Sequence, residues 1–318
     1  MAKENAKSHP AVSSVVDSHE SIHVSCVFEI HFMNDLIEQI RLKDGRTLGF
    51  AQYGDPKGKP IFYFHGWPAS RLSAEIYDDL AKKLHIRIIA PDRPGFGRSE
   101  YQKNRRLIDW PDDVVALADH LNIKKFAVMG VSGGGPYAAA CAYKIPERIT
   151  SVGIIVGLSP IYGPESLEGV LWVSKIGWAN FGKYPWMRKG SAFFRFLNAR
   201  YVPSLGLHRF LWGRADRKLF ADPKLRARSA ETTREAFRAG YKGPELDLKL
   251  YTTDWRFDLR NIRSKVFLWY GQDDENVSLN MGKYYASQIP KSKLTVYPDE
   301  GHLISITHAE KILKTLTA

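Results

Sequence analysis

From residue 36 onward, apolar positions fall into short runs separated by stretches of helical spacing. Residues 36–42 and 47–53 alternate as half-buried strands do, and Lys43, Asp44 and Gly45 supply a turn between them, so the pair predicts a hairpin. Residues 61–64, 86–90, 126–131 and 151–156 are short continuous apolar runs, the pattern of strands buried on both faces. Helical spacing fills 70–84, 110–121 and 134–143. In the second of these, Asp112 and Asp113 occupy the first turn, where negative charge suits the positive end of the helix dipole. The run DRPGFG at 92–97 must turn, because proline and glycine break regular structure. Strands alternating with helices imply an α/β class: a mostly parallel, twisted sheet with helices on both faces.

This rhythm stops between about 158 and 256. The segment is helical in spacing, basic and aromatic, with Trp172, Trp178, Trp186, Phe193, Phe194, Phe196 and Tyr201 in its first half. It shows no buried strand. Strand pattern resumes at 265–270 and 294–297, with helices expected at 279–289 and from about 305. The implied organisation is a sheet domain over 35–157 and 258–318, interrupted by a helical cap or lid over 158–257. Residues 1–34 read as a partly disordered N-terminal extension without assigned chemistry. Most of the cap aromatics are expected to pack the lid onto the core, the others to line an apolar substrate pocket. Arg188, Lys189, Arg195 and Arg200 either face solvent or favour a carboxylate-bearing substrate.

Composition narrows the classes of function. The 318 residues are 44% hydrophobic and 25% charged, with a formal charge of +12, which is ordinary for a globular enzyme apart from the basic balance. The basic residues are spread along the chain without a nucleic-acid motif, so a solvated basic surface is expected rather than a nucleic-acid partner. Cys26 and Cys141 make no disulfide framework and are expected to be inert thiols. There is no apolar stretch long enough to cross a bilayer, no signal-type hydrophobic region at the start, and no peroxisomal tripeptide in the final KTLTA. These features predict a cytoplasmic location without stable membrane insertion.

The sharpest chemical feature is Gly130-Val131-Ser132-Gly133-Gly134. Here Gly-x-Ser-x-Gly lies between a strand and an alanine-rich helix, the setting in which a tight turn presents a strained serine as a nucleophile. The following helix aims N–H groups and its positive dipole end at the reacting oxygen. A serine hydroxyl needs a base, and the base an orienting acid. His302, after the last short strand, is the base; His85, His120 and His308 lie in less suitable places. The acid comes from the carboxylates after strand 265–270, with Asp274 favoured by position and Asp273 the substitute. Acyl transfer also needs oxyanion donors: the N–H of Gly133, just after the nucleophile, and that of Trp67 in the HGWP loop at 65–68. His65 is expected to be structural. No cofactor or metal is implied.

With these motifs in order, the chain from about residue 36 to its end resembles the α/β-hydrolase superfamily, in the serine-nucleophile branch whose oxyanion loop reads His-Gly-x-Pro. The likeness rests on HGWP at 65–68, DRPGFGRS at 92–99, GVSGG at 130–134, the loop at 271–277, and Gly301 with His302. The segment 234–243, with 246–255 and Asp258, also resembles a group of microbial and fungal hydrolases. Relatives that open epoxides or remove halides carry an aspartate where this chain has Ser132. The resemblance therefore implies esterase, thioesterase, lactonase, C–C bond hydrolase or cofactor-free haloperoxidase chemistry on a small, largely apolar substrate. A biosynthetic-pathway hydrolase or a small-molecule receptor on the same fold are the other readings, since fold does not fix function.

Overall fold

The computed structural model describes residues 38–161, 164–201 and 213–318; the expected extension at 1–34 lies outside them. Eight strands, β1 (Glu38–Arg41), β2 (Thr47–Gly54), β3 (Lys59–Phe64), β4 (Ile86–Pro91), β5 (Phe126–Val131), β6 (Ile149–Ile155), β7 (Val266–Gly271) and β8 (Ser292–Tyr297), form one sheet. Their order is β1-β2-β4-β3-β5-β6-β7-β8. β2 pairs antiparallel with β1 and β4, and every other pairing is parallel.

The strands' period of two sorts their side chains into two cores. Phe62, Phe64, Phe126, Val128 and Leu268 face one side, with Trp110, Val114 and Leu117 of α2 (Trp110–His120) and Tyr137 and Cys141 of α3 (Gly135–Lys144). Ile61, Tyr63, Ala127, Met129 and Trp269 face the other, with Ala81 of α1 (Asp78–Lys83) and the apolar edge of a C-terminal helix. β5 is buried along its whole length, as a central parallel strand covered on both faces must be. Cys141 belongs to the first core, and burial pushes its thiol well above the ordinary range.

Between β6 and β7 the described residues hold helices and no strand: α4 (Trp172–Asn180), α5 (Pro185–Tyr201), α6 (Arg214–Arg217), α7 (Pro223–Ala236) and α8 (Lys242–Tyr251). The start of α7 follows local rules, since Asp222 accepts the Lys224 N–H at 2.9 Å and Pro223 opens the first turn. After β7 come α9 (Leu279–Gln288), α10 (Ile304–Thr307) and α11 (Ala309–Leu316). Among the described residues no helix is long and apolar enough to cross a membrane.

Three expectations change. The helix over 70–84 is a 3-10 turn, Arg71–Tyr77, leading into α1. The N–H groups of Ser70 and Arg71 are taken by Thr232 Oγ1 and Asp92 Oδ1 at 3.0 and 2.8 Å, partners far away in sequence. The terminal helix is divided at His308, whose ring stacks on Tyr297 with centroids 3.7 Å apart. The aromatics of the inserted segment mostly do not pack inward: Trp172, Trp186 and Tyr201 are 72%, 71% and 69% exposed, and Phe193 and Phe194 are exposed as well. In α5 the inward stripe is instead Arg188, Ala192 and Ala199, whose close spacing against α7 and α8 leaves the large rings outside.

Candidate active site

Ser132 stands where β5 ends and the chain turns into α3. It has φ of +55°, a left-handed conformation rare for a residue with a side chain and typical of strained functional turns. Two glycines make the turn possible. A Cβ at Gly134 would lie 2.1 Å from the Phe64 carbonyl oxygen, and one at Gly130 would lie 2.4 Å from the oxygen of Gly134. The sheet register then sets the neighbour. Phe64 of β3 pairs with Gly130 of β5, so the loop leaving β3 runs abreast of the serine. A Cβ built on Gly66 would sit 3.4 Å from the Ser132 Cβ. Trp67 follows, joined to Pro68 by a cis bond, and a Cβ at Gly133 would lie 3.0 Å from the Trp67 Cβ. The two residues expected to supply oxyanion N–H groups are thus neighbours across the site.

Asp274 and His302 come from adjacent loops at the same sheet edge. β7 pairs with β8, and the two loops beyond them are tied where Asp273 N–H donates to the Glu300 carbonyl at 2.9 Å. His302 Nδ1 lies 2.7 Å from Asp274 Oδ2, while Asp274 Oδ1 accepts N–H groups from Asn276 and Val277 at 2.8 and 3.0 Å. Of the two carboxylates weighed for this place, Asp274 is buried and Asp273 exposed. Burial by itself would lower the His302 pKa. The charge and hydrogen bond of Asp274, together with the charge of Asp216, outweigh that and hold it above its ordinary value of 6.5.

Asp216 has no counterpart in the motifs. It lies in α6, within the segment inserted between β6 and β7, and is buried. Its two oxygens accept the N–H groups of His302 and Leu303, each at 2.9 Å. Burial raises its pKa, and those two donors oppose the rise. An inserted-helix carboxylate therefore clamps the backbone that carries His302. Asn at this position keeps one acceptor but sets an amide N–H against the other donor. It also removes one of the charges that raise His302. Asp216→Asn should lower kcat/KM several-fold and move the acid limb of its pH profile to lower pH; a limb that stays in place would disprove the electrostatic part.

The loop beside Ser132 is held from beneath by a buried ionic hub. Arg93, from the DRPGFGRS run, donates through Nη2 to the Gly66 carbonyl at 3.1 Å and through Nη1 to that of His65. Its Nε donates to Asp247 Oδ2 at 2.8 Å, and Asp247 also pairs with Arg105. Tyr137 and Tyr251 donate to the same carboxylate at 2.5 and 2.8 Å. His65 Nε2 accepts the Arg93 N–H at 3.3 Å, and its Nδ1 faces the Gly66 carbonyl at 2.9 Å. Burial, then the Arg93 charge, keeps its pKa well below 6.5, so it is a neutral structural imidazole. Asp247 lies in α8, and no local pattern marked it. The only available signal was the two arginines near the turn at 92–97, which must find a carboxylate if they are buried.

Ser132 and His302 line one cavity of about 290 Å³, with Gly66, Trp67, Trp178 and Arg195 on its walls. Ser73, Ser174, Ser229, Thr232, Thr233 and Asn276 also line it, so the wall, mostly apolar as expected, carries polar groups as well. Of the described aromatics crowding the first half of the inserted segment, Trp178 is the one that reaches it.

Comparison with known proteins agrees with this architecture. A family profile described as alpha/beta hydrolase fold matches residues 59–309, and the chain belongs to that family as one of its hydrolases. A bifunctional esterase/perhydrolase of Acinetobacter calcoaceticus is 24% identical over 282 residues, covering 88% of this chain and 98% of that protein. A 2-hydroxymuconate semialdehyde hydrolase of Pseudomonas sp. (strain CF600) is 27% identical over 271 residues, 80% of this chain and 84% of that one. The crystal structure of a hydrolase from Pseudomonas aeruginosa superposes with a TM-score of 0.65 at 18% identity, covering 88% and 97% of the two chains. That degree of likeness speaks for the fold alone.

Proposed function

We propose that the protein is a serine hydrolase that cleaves an ester-like bond (carboxylic ester, thioester or lactone) of a small molecule through an acyl-enzyme on Ser132. One observation carries the reading: a strained serine and a histidine hydrogen-bonded to a buried aspartate line the same cavity. In this reading Ser132 Oγ attacks the carbonyl carbon while His302 Nε2 takes its proton. The N–H groups of Trp67 and Gly133 hold the oxyanion. His302 returns the proton to the departing alcohol or thiol, then takes one from water, whose oxygen releases the acid and restores the serine. Asp274 keeps Nδ1 protonated so that Nε2 can accept. Residues 158–257 act as the cap over this cavity, and 35–157 with 258–318 as the core beneath.

The 2-hydroxymuconate semialdehyde hydrolase relative favours a second reading, in which the same three residues break a C–C bond. Esters test both. Ser132→Ala should reduce p-nitrophenyl acetate hydrolysis by at least about 10⁴-fold and abolish labelling by a fluorophosphonate probe. Turnover retained in that variant would remove Ser132 as the nucleophile. Labelling without ester turnover in the wild type would favour the C–C reading.

A further inference from the structure

The inward stripe of α5 carries two arginines, and only one has an anionic partner. Arg188, Ala192, Arg195 and Ala199 recur at helical spacing on one face. Arg188 donates to the Glu245 carboxylate and to the Phe181 carbonyl. Lys189 and Arg200, also on this helix, are exposed. Arg195 is different. It lines the cavity that holds Ser132 and His302, with its guanidinium 5.1 Å from the centre of the Trp67 ring. No carboxylate is paired with it among the described residues, and no acidic side chain lines that cavity. Burial, unopposed by any negative charge, pushes its pKa down to about 10, so it remains cationic at neutral pH.

A half-buried cation without a counter-charge is held less favourably than one in water unless something else supplies that charge. The Trp67 ring attracts the guanidinium through its π-face, and that contact consumes none of the N–H donors, which stay available to a planar, two-oxygen acceptor. Hydroxyls of Ser174 and Ser229 on the same walls offer further donors. We propose that Arg195 is a specificity residue that binds a carboxylate on the substrate, so that the preferred substrate is an ester-like compound bearing one free carboxylate. One uncompensated charge matches a monoanion and leaves the second charge of a phosphate monoester unmatched. The assignment rests on the serine-hydrolase reading for its chemistry, but the binding site itself does not depend on turnover.

The test compares p-nitrophenyl hydrogen adipate with p-nitrophenyl hexanoate, and 4-carboxyphenyl hexanoate with 4-carbamoylphenyl hexanoate, placing the carboxylate on the acyl side and then on the alcohol side. The wild type should favour at least one charged ester by about ten- to hundredfold in kcat/KM, the range a charge-assisted hydrogen-bonded pair supplies. Arg195→Met should erase most of that ratio, and Arg195→Lys should keep part of it. Thermal shift of folded Ser132→Ala protein with hexanoate against hexanamide, and benzoate against benzamide, reads the site without catalysis. A carboxylate shift there, with no ester turned over by the wild type, would sink the ester reading and keep Arg195 as the carboxylate site. Equal kcat/KM for charged and neutral esters with equal thermal shifts, or a ratio unchanged in Arg195→Met, would overturn it. So would phenyl phosphate stabilising the protein more than benzoate does.

Discussion

Asp247→Ala should lower the free energy of unfolding by about 3–5 kcal/mol, because it strands two buried arginines without a counter-charge. Arg93 and Arg105 both meet this carboxylate, and all three side chains are almost wholly shielded from water. Tyr137 and Tyr251 lose their acceptor in the same change. A urea titration followed by tryptophan fluorescence reads the effect as a shift in midpoint. The control is Glu310→Ala, which removes an exposed i,i+4 partner of Lys314 and should leave the midpoint in place. Equal behaviour of the two variants would show that the hub contributes nothing specific. Burial alone would raise the Asp247 pKa, but the two arginines outweigh it and hold the group below its ordinary value of 3.8. This contribution is therefore present at neutral pH and lost only as pH falls through the depressed value. Arg93 also donates to the carbonyls of His65 and Gly66, so partly unfolded hub variants should lose activity before they lose secondary structure.

Asp274→Asn should cost about 10⁴-fold in kcat, the size of effect produced when an orienting carboxylate becomes an amide. The reason is visible in the hydrogen bonds. Asp274 Oδ1 already accepts the N–H groups of Asn276 and Val277, so an asparagine there keeps its carbonyl oxygen in that place. Its NH₂ then faces His302 Nδ1, which must become the acceptor and move its proton to Nε2. A histidine in that tautomer cannot take the Ser132 proton. Asp273→Asn alters an exposed side chain and should change kcat by less than about threefold. Measuring both with p-nitrophenyl acetate, beside thermal melts to confirm folding, separates the two neighbours. A large fall for Asp273→Asn with little change for Asp274→Asn would invert the assignment.

Much of the sheet was legible because buried parallel strands are continuous short apolar runs, and the turns between them are marked by glycine and proline. Ser132 was legible for a related reason: a tight strand-to-helix turn tolerates only glycine at Gly130 and Gly134, which leaves a local signature. His302 and the carboxylate loop followed from their order after the last strands. The inserted helices were poorly legible. Their aromatic spacing suggested inward packing, yet close approach of α5 to α7 and α8 is made by small residues and an ion pair, with Trp172 and Trp186 outside.

By itself, the sequence determined the α/β architecture, the turn at Ser132 and the two loops that carry Asp274 and His302, since each depends on spacing over a few residues. Tertiary structure decided that Asp274, favoured by position, and not Asp273 meets His302, that Asp216 clamps the histidine's backbone, that Asp247 neutralises Arg93 and Arg105, and that Arg195 opens on the cavity with no carboxylate paired to it among the described residues. The physical reason is common to the first three. A charge buried in the interior must be matched by whatever group the fold brings near it, and that partner lies at a sequence distance local pattern cannot encode.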